Sequence, residues 1–424
     1  MRLPKISIVI GANYGDEGKG LVTNALTTGK DTVIVLTNGG AQRGHTVVQD
    51  GIRHVFHHLG SGNLQGATTY CAESFIINPI IFLEELQTLK LERMQKRRAE
   101  LFSKEKGLFN YPLISDQCRV TTIYDMLANR IRCVLSGKND STGCGIWETI
   151  QRYEADNTFY RFGDFYRTGL YLNELQKIRD YYIDKFKDLN LPDASSELKD
   201  CLNLLVNDNL KFNFINDFKS FNKFVLYCPD YTIITRYKNI IFEQGQGLAI
   251  NKTDEEFGTP SDTDSTLPVQ LLQKAFGEKF SKLKIDRYYV TRSYLTRHGD
   301  GPFVEDKEFA KKFNDRTNVP NEFQGSIKYA PMDRESFLSM LTRIFGDYYK
   351  TSIKVFEDDK DHGEINLVVT HLNEETLPYL KEIGTETGLG NENINLVFSK
   401  IFGSFDESTI NILYNKLDTK SVER

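Results

Sequence analysis

The segment Gly11-Ala12-Asn13-Tyr14-Gly15-Asp16-Glu17-Gly18-Lys19-Gly20 gathers glycines, two carboxylates and a lysine between an apolar run and a stretch able to form a helix. Such a loop suits phosphate, because free backbone N–H groups and the positive helix end face the ligand. Lys19 can neutralise phosphate charge. An ordinary Walker loop would have glycine where Asn13 stands and a hydroxyl where Gly20 stands. With the usual hydroxyl ligand for Mg²⁺ missing, a loop carboxylate, Asp16 or Glu17, has to hold the metal. Gly44-His45-Thr46 follows the next apolar run. An imidazole there can donate to a transferring phosphoryl group while Asp16 takes a proton from an acceptor.

These groups need strand ends that meet at one edge. Lys5 to Ile10 and Asp31 to Leu36 read as buried strands, and Leu21 to Thr28 reads as a helix between them. Strands alternating with helices point to an α/β fold around a large, mostly parallel central sheet, whose strand ends line a common crevice. Phe224–Tyr227, Ile240–Phe242, Tyr288–Thr291 and Ile365–Thr370 are further candidate strands. Residues 1–424 read as one elaborated domain, with helical insertions at the charged stretch 91–107 and at 171–222.

Composition excludes several classes. The net charge of −5 gives no support for a nucleic-acid surface. Mean hydropathy is −0.42, and no apolar run is long enough to span a membrane. The six cysteines form no C-x-x-C pair, which fits a reducing cytoplasm and argues against zinc and disulfide frameworks.

Gly15 to Gly20 together with Gly39-Gly40-Ala41-Gln42-Arg43-Gly44-His45-Thr46 resembles the adenylosuccinate synthetase family, which uses GDEGKG followed by GGxNAGHT. Further segments follow in the family's order. Ser61-Gly62 matches its Ser-Gly, Ser141-Thr142-Gly143-Cys144-Gly145-Ile146 resembles TTGRGIG, and Arg161-Phe162-Gly163-Asp164 resembles RVGDL. Phe242-Glu243-Gln244-Gly245-Gln246-Gly247 resembles FEGAQG, and Gly258-Thr259-Pro260 running on to Ser265-Thr266 resembles GTYPFVTSS. Thr296 to Phe303 resembles STRVGAGPFP, Asn321-Glu322-Phe323 precedes the aspartate loop, Thr370-His371-Leu372-Asn373 stands at TKLD, and Ser399 to Gly403 stands at the last nucleotide loop.

The resemblance implies a ligase that moves the γ-phosphate of a nucleoside triphosphate to O6 of a 6-oxopurine monophosphate, after which L-aspartate displaces it. Asp16 would be the base at N1 and a Mg²⁺ ligand alongside Gly44, and His45 the acid at the phosphoryl group. Gly15, Glu17, Gly18, Lys19, Gly20, Gly44, Thr46, Thr370, His371, Asn373, Ser399 and Gly403 would bind nucleotide. Asn13, Gln42, Ser141, Thr142, Gln246, Ser265, Thr266, Arg297, Gly325, Ser326 and Lys328 would bind the co-substrates. A homodimer is also implied, with Arg152 at the place of an arginine that crosses into the neighbour's site.

Several departures bear on the substrates. Gln42 replaces the motif asparagine, and Gln244 alters FEGAQG next to the expected purine site. The arginine-rich aspartate loop is reduced to Gln324–Asp333, with Lys328 as its cation. Arg297 and Lys328 are then the candidates for the aspartate carboxylates. Asn373 stands where the family reads guanine with Asp, which favours ATP or dATP over GTP as donor. His57 to Gly62, Phe75 to Pro79 and Asn321 to Ser326 are similar to the phage and archaeal branch, which includes phage enzymes that condense aspartate with dGMP. Many of those replace the loop aspartate by a small residue, whereas Asp16 is kept here, so IMP and (d)GMP both stay open. The alternative from another class is a nucleotide sensor without turnover.

Overall fold

The computed structural model describes residues 3–99, 110–137, 141–189, 195–250, 262–299, 303–313, 325–353, 355 and 363–371, and the backbone alone for 92–99. The chain runs through β1 (Lys5–Gly11), α1 (Lys19–Leu26), β2 (Thr32–Leu36), the hairpin β3 (His45–Gln49) and β4 (Ile52–Phe56), β5 (Thr68–Cys71) and β6 (Ile76–Ile77). Then come α2 (Pro79–Ala99), β7 (Leu113–Ile114), β8 (Arg119–Val120), α3 (Ile123–Ser136), α4 (Ile146–Ala155) and α5 (Phe162–Thr168). Helices α6 (Tyr171–Phe186), α7 (Ser196–Leu205) and α8 (Asp208–Phe221) precede β9 (Leu226–Tyr227), β10 (Asn239–Gly247), α9 (Thr266–Phe276) and β11 (Ile285–Arg292). The last described elements are β12 (Tyr294–Arg297), α10 (Lys307–Ala310), β13 (Lys328–Pro331), α11 (Arg334–Tyr348) and β14 (Ile365–Thr370).

Eight strands form the central sheet in the order β14-β11-β1-β10-β2-β5-β7-β9. Every neighbouring pair is parallel. A parallel sheet is covered on both faces, so its strands read as unbroken apolar runs. Adjacent side chains still point to opposite faces: Val9, Ile34 and Leu36 enter the core with Phe82, Tyr124 and Phe221, while Ile8, Ile10, Val33 and Val35 join Phe242, Tyr289 and Phe337. Residues 171–222 are largely helical, with α8 packed on α2 and α7 on α3. Phe221 meets Phe82 edge-on at 5.0 Å, anchoring that layer.

Element boundaries differ from the sequence reading where polar residues are buried. Strand β10 continues past Phe242 through the fully buried Glu243 and Gln244. Helix α1 starts at Lys19, since Gly18 turns the chain with φ 95°. Because β1, β10, β2, β11 and β14 run in parallel, the residues after Gly11, Gly247, Leu36, Arg292 and Thr370 emerge at one edge of the sheet.

Candidate active site

The glycine loop is braced from within. Glu17 points inward, its Oε1 accepting from the N–H groups of Asn13 (3.1 Å) and Gly15 (2.8 Å), and its Oε2 lies 3.2 Å from Lys19 Nζ. Lys19 also donates to the Gly15 carbonyl and is buried. Asn13 ties the loop to the sheet and to α11: its Nδ2 donates to Thr291 Oγ1 at 2.9 Å, and its Oδ1 accepts from Arg343 Nη2 at 3.0 Å. Thr370 Oγ1 donates to the Glu17 carbonyl at 2.8 Å. The expectation that the Asn13, Glu17 and Thr370 side chains face ligands is therefore corrected, because their polar atoms hold the loop. Glu17 being engaged at both oxygens, Asp16 is the loop carboxylate left to face a ligand. It is 29 % exposed, with His298 Nε2 at 3.8 Å from its Oδ2.

Gly20 has a tertiary reason. A Cβ there would lie 2.9 Å from His45 Cβ and 3.0 Å from Ser61 Oγ. The hydroxyl residue of a Walker loop does not fit beneath His45.

The opposite wall is built on the ends of β2, β3 and β10. His45 Nδ1 lies 2.7 Å from Glu243 Oε1, close enough to place the ring proton toward the carboxylate. Glu243 also accepts from the Ser61 N–H at 3.1 Å and from the Ser61 hydroxyl. Arg43 Nη2 sits 2.9 Å from Glu243 Oε2 and 3.0 Å from His45 Nδ1. Burial would raise the Glu243 carboxyl, but Arg43 and His45 outweigh it and hold it well below the usual range. Burial, reinforced by Arg43, lowers His45 to about 4 against the pull of Glu243, so the ring is neutral at pH 7.

Polar atoms concentrate here without partners. Among the described residues, His45 Nε2, Gln42 Oε1, Thr46 Oγ1, Gln246 Oε1 and Asn38 Nδ2 are buried and make no hydrogen bond. Each such atom costs about 1–3 kcal/mol unless a ligand satisfies it, which marks this wall as a polar binding surface.

The remaining expected residues divide. Cys144 and Ile146 pack with Ala41 and Ile76, bringing the Ser141–Ile146 loop, with Thr142, against the Gly39–Thr46 segment. Within it Ser141 Oγ donates to Asn129 at 2.9 Å and accepts from Gly143 N–H at 3.2 Å. Arg297 and Lys328 are cross-strand partners on the antiparallel pair β12–β13. Arg297 also lies over the ring of Tyr14, 5.4 Å from its centroid, which sets this pair beside the glycine loop. Lys328 donates to the Gly299 carbonyl at 2.8 Å. Gly325 (φ 66°) and the exposed Ser326 lead into β13, His371 sits at φ 63° after β14, and Gly44 is exposed. Thr266 Oγ1 is buried without a partner.

Three expectations are overturned by burial. Arg152 is fully buried, pairing with Asp125 through Nε (2.8 Å) and Nη2 (3.1 Å), so its side chain cannot cross to a neighbour. Ser265 is locked onto Asp347 through its N–H (2.9 Å) and hydroxyl (2.6 Å). Gln244 bridges Thr37 (3.0 Å) and the Asp264 carbonyl (2.7 Å), so both its polar ends are engaged within the protein. Asn373, Ser399 and Gly403 lie outside the described residues. Glu243, Ser61, Arg43 and Asn38 received no role from the sequence; the signal for Glu243 was a carboxylate inside an otherwise apolar strand.

A model of the family "Adenylosuccinate synthetase" matches residues 8–325. The chain belongs to the adenylosuccinate synthetase family. It is 28 % identical over 304 residues to the adenylosuccinate synthetase of Picrophilus torridus, and 29 % identical over 302 residues to that of Buchnera aphidicola. In both comparisons the match takes in 70 % of this chain and spans 64 % of the relative's length. Two solved structures share the fold. A fully ligated adenylosuccinate synthetase from Plasmodium falciparum superposes with a TM-score of 0.56 at 17 % identity, covering 87 % of this chain and 77 % of the other. Cyanophage S-2L succinoaminodeoxyadenylate synthetase, bound to dGMP and dATP as an energy donor, gives 0.51 at 15 %, covering 86 % and 92 %. The α/β fold with its eight-stranded parallel sheet is thus that of adenylosuccinate synthetases.

Proposed function

We propose that this protein is a nucleoside-triphosphate-dependent ligase that joins L-aspartate to C6 of a 6-oxopurine nucleotide through a 6-phosphoryl intermediate. The observation that carries the reading is the buried His45–Glu243 pair, with His45 Nε2 unpartnered, at the sheet edge that also carries the glycine loop and its available carboxylate, Asp16. Asp16 takes the N1 proton, and O6 attacks the γ-phosphorus as the bond to the β-phosphate oxygen breaks. His45 Nε2, taking a proton from solvent as the negative phosphoryl group draws near, donates to one of its oxygens. The aspartate amine then attacks C6, the C6–O6 bond breaks, and phosphate leaves with O6 and with one proton of the amine. Arg297 and Lys328, cross-strand partners beside the glycine loop, are the cations that hold the aspartate carboxylates.

Asp16 also suits Mg²⁺, which is commonly held by one or two carboxylates plus substrate phosphates. When bound, the ion neutralises phosphate charge.

A guanine nucleotide is the narrower reading. The buried carbonyl oxygens of Gln42 and Gln246 have no donors, and guanine offers a 2-amino group where hypoxanthine has only hydrogen. The cyanophage synthetase bound to dGMP and dATP is a protein of this kind.

The test is incubation with Mg²⁺ and aspartate across IMP, GMP and dGMP against ATP, dATP and GTP, read by mass spectrometry. A succinyl adduct is expected, strongest with a guanine nucleotide. Nucleotide binding without any adduct would favour the sensor and end the ligase reading.

A further inference from the structure

Compared with the family's GGxNAGHT, the segment Gly39 to Thr46 gains a charge at one position: Arg43 stands at the alanine. The side chain is 0 % exposed, so a guanidinium with five N–H donors stands in the interior. Its Nη2 group carries two hydrogens and faces two atoms, Glu243 Oε2 at 2.9 Å and His45 Nδ1 at 3.0 Å. Its Nε and Nη1 have no hydrogen-bond partner. Arg43 therefore satisfies Glu243 and still has donor capacity left over.

A buried pair of this kind is weak evidence for stability, since well-packed apolar residues in place of both partners are often as stable, whereas removing Arg43 alone would leave the Glu243 carboxylate buried and uncompensated. Stability alone therefore gives no reason for the pair. With alanine at this position, Glu243 would be held only by Ser61 and His45, and any positive charge at the wall would have to come from the imidazole. With Arg43 present, guanidinium and carboxylate balance, and the positive end of the pair lies directly behind the ring whose Nε2 is free.

We propose that Arg43 is a positioning residue for phosphoryl transfer: it compensates the Glu243 carboxylate and clamps it against His45, so that the ring keeps Nε2 aimed at the phosphoryl group. This rests on the ligase reading above. Full-length Arg43→Met, Arg43→Lys and His45→Gln variants and the Arg43→Met/His45→Gln double variant are compared with wild type in the adduct assay, with thermal unfolding followed in parallel.

Arg43→Met is expected to lower kcat roughly 10- to 100-fold, below the effect of a donor touching the oxyanion directly. KM for both nucleotides should stay within about twofold, the pattern of an interaction made in the transition state. Arg43→Lys should regain most of the rate, and the double variant should be no slower than His45→Gln, because the two act as one unit. An Arg43→Met kcat within about twofold of wild type, a loss confined to KM, or full additivity in the double variant overturns the proposal. Should Arg43→Met fail to fold, Arg43→Gln, which keeps a donor to Glu243 and drops the charge, is judged by the same criteria. A wild type that forms no adduct sinks the ligase reading and this one together; a wild type that turns over beside an equally active Arg43→Met sinks this one alone.

Discussion

The glycine loop and the wall facing it meet at one sheet edge, yet they treat their polar groups in opposite ways. In the loop, Glu17, Lys19 and Asn13 are paired with one another or with the scaffold, leaving Asp16 exposed to a ligand. In the wall, His45, Gln42, Thr46, Gln246 and Asn38 each hold a buried atom without a partner. The loop is pre-organised: its shape exists before any nucleotide arrives, which lowers the ordering cost of binding. The wall is incomplete without a ligand, and such unmet groups let a site reject molecules that cannot pair with them. Shape and charge thus belong to one side, and recognition of the reacting group to the other.

That contrast can be broken by substitution. His45→Gln should lower kcat by about 10²–10⁴, the usual worth of a placed acid or base, while the unfolding midpoint holds. A large drop in stability instead would make His45 part of the scaffold. Glu17→Gln should do the reverse. It keeps an acceptor for the loop N–H groups but leaves the buried Lys19 ammonium uncompensated, so unfolding in denaturant should show a loss of about 3 kcal/mol. Added triphosphate should recover part of that loss; no destabilisation would mean that the loop is not braced by this pair.

Gly20→Ser restores the Walker pattern in sequence and should still be harmful. The added atoms meet His45 and Ser61, and a displacement on the order of 1 Å at the reacting group costs about 10²-fold in rate. Turnover at the wild-type level would show that the approach of α1 to His45 is not required.

The smallest effect is on pH. His45 falls from 6.5 in the unfolded chain to about 4 when buried, so between those values the unfolded state binds the extra proton. Stability should drop as pH falls through this window. Between pH 7 and 5 the His45 share is about 2 kcal/mol, and His45→Gln should lose that much less than wild type over the same interval. Equal losses in the two proteins would contradict the neutral buried ring.

Much of the fold was legible because a parallel sheet writes itself as unbroken apolar runs, and β14 coincides with the run Ile365–Thr370. Strand β10 was only partly legible, since Glu243 and Gln244 interrupt the apolar pattern while remaining buried. Of the site, the glycine loop and His45 stood out by residue type and spacing. Which side chains turn toward a ligand did not.

From its own order of residues, then, this protein determines its family, its α/β architecture and the presence of a phosphate loop with a lysine and two carboxylates. Those features are local, set by spacing along a single segment. Only the tertiary structure decided that Glu17 braces the loop while Asp16 stays available, that Gly20 makes room for His45, and that Arg152 is held inside by Asp125. It also brought Glu243 to His45 from 198 residues away. The reason is physical: hydrogen bonding and burial depend on neighbours in space, and the sequence names those neighbours without saying which will meet.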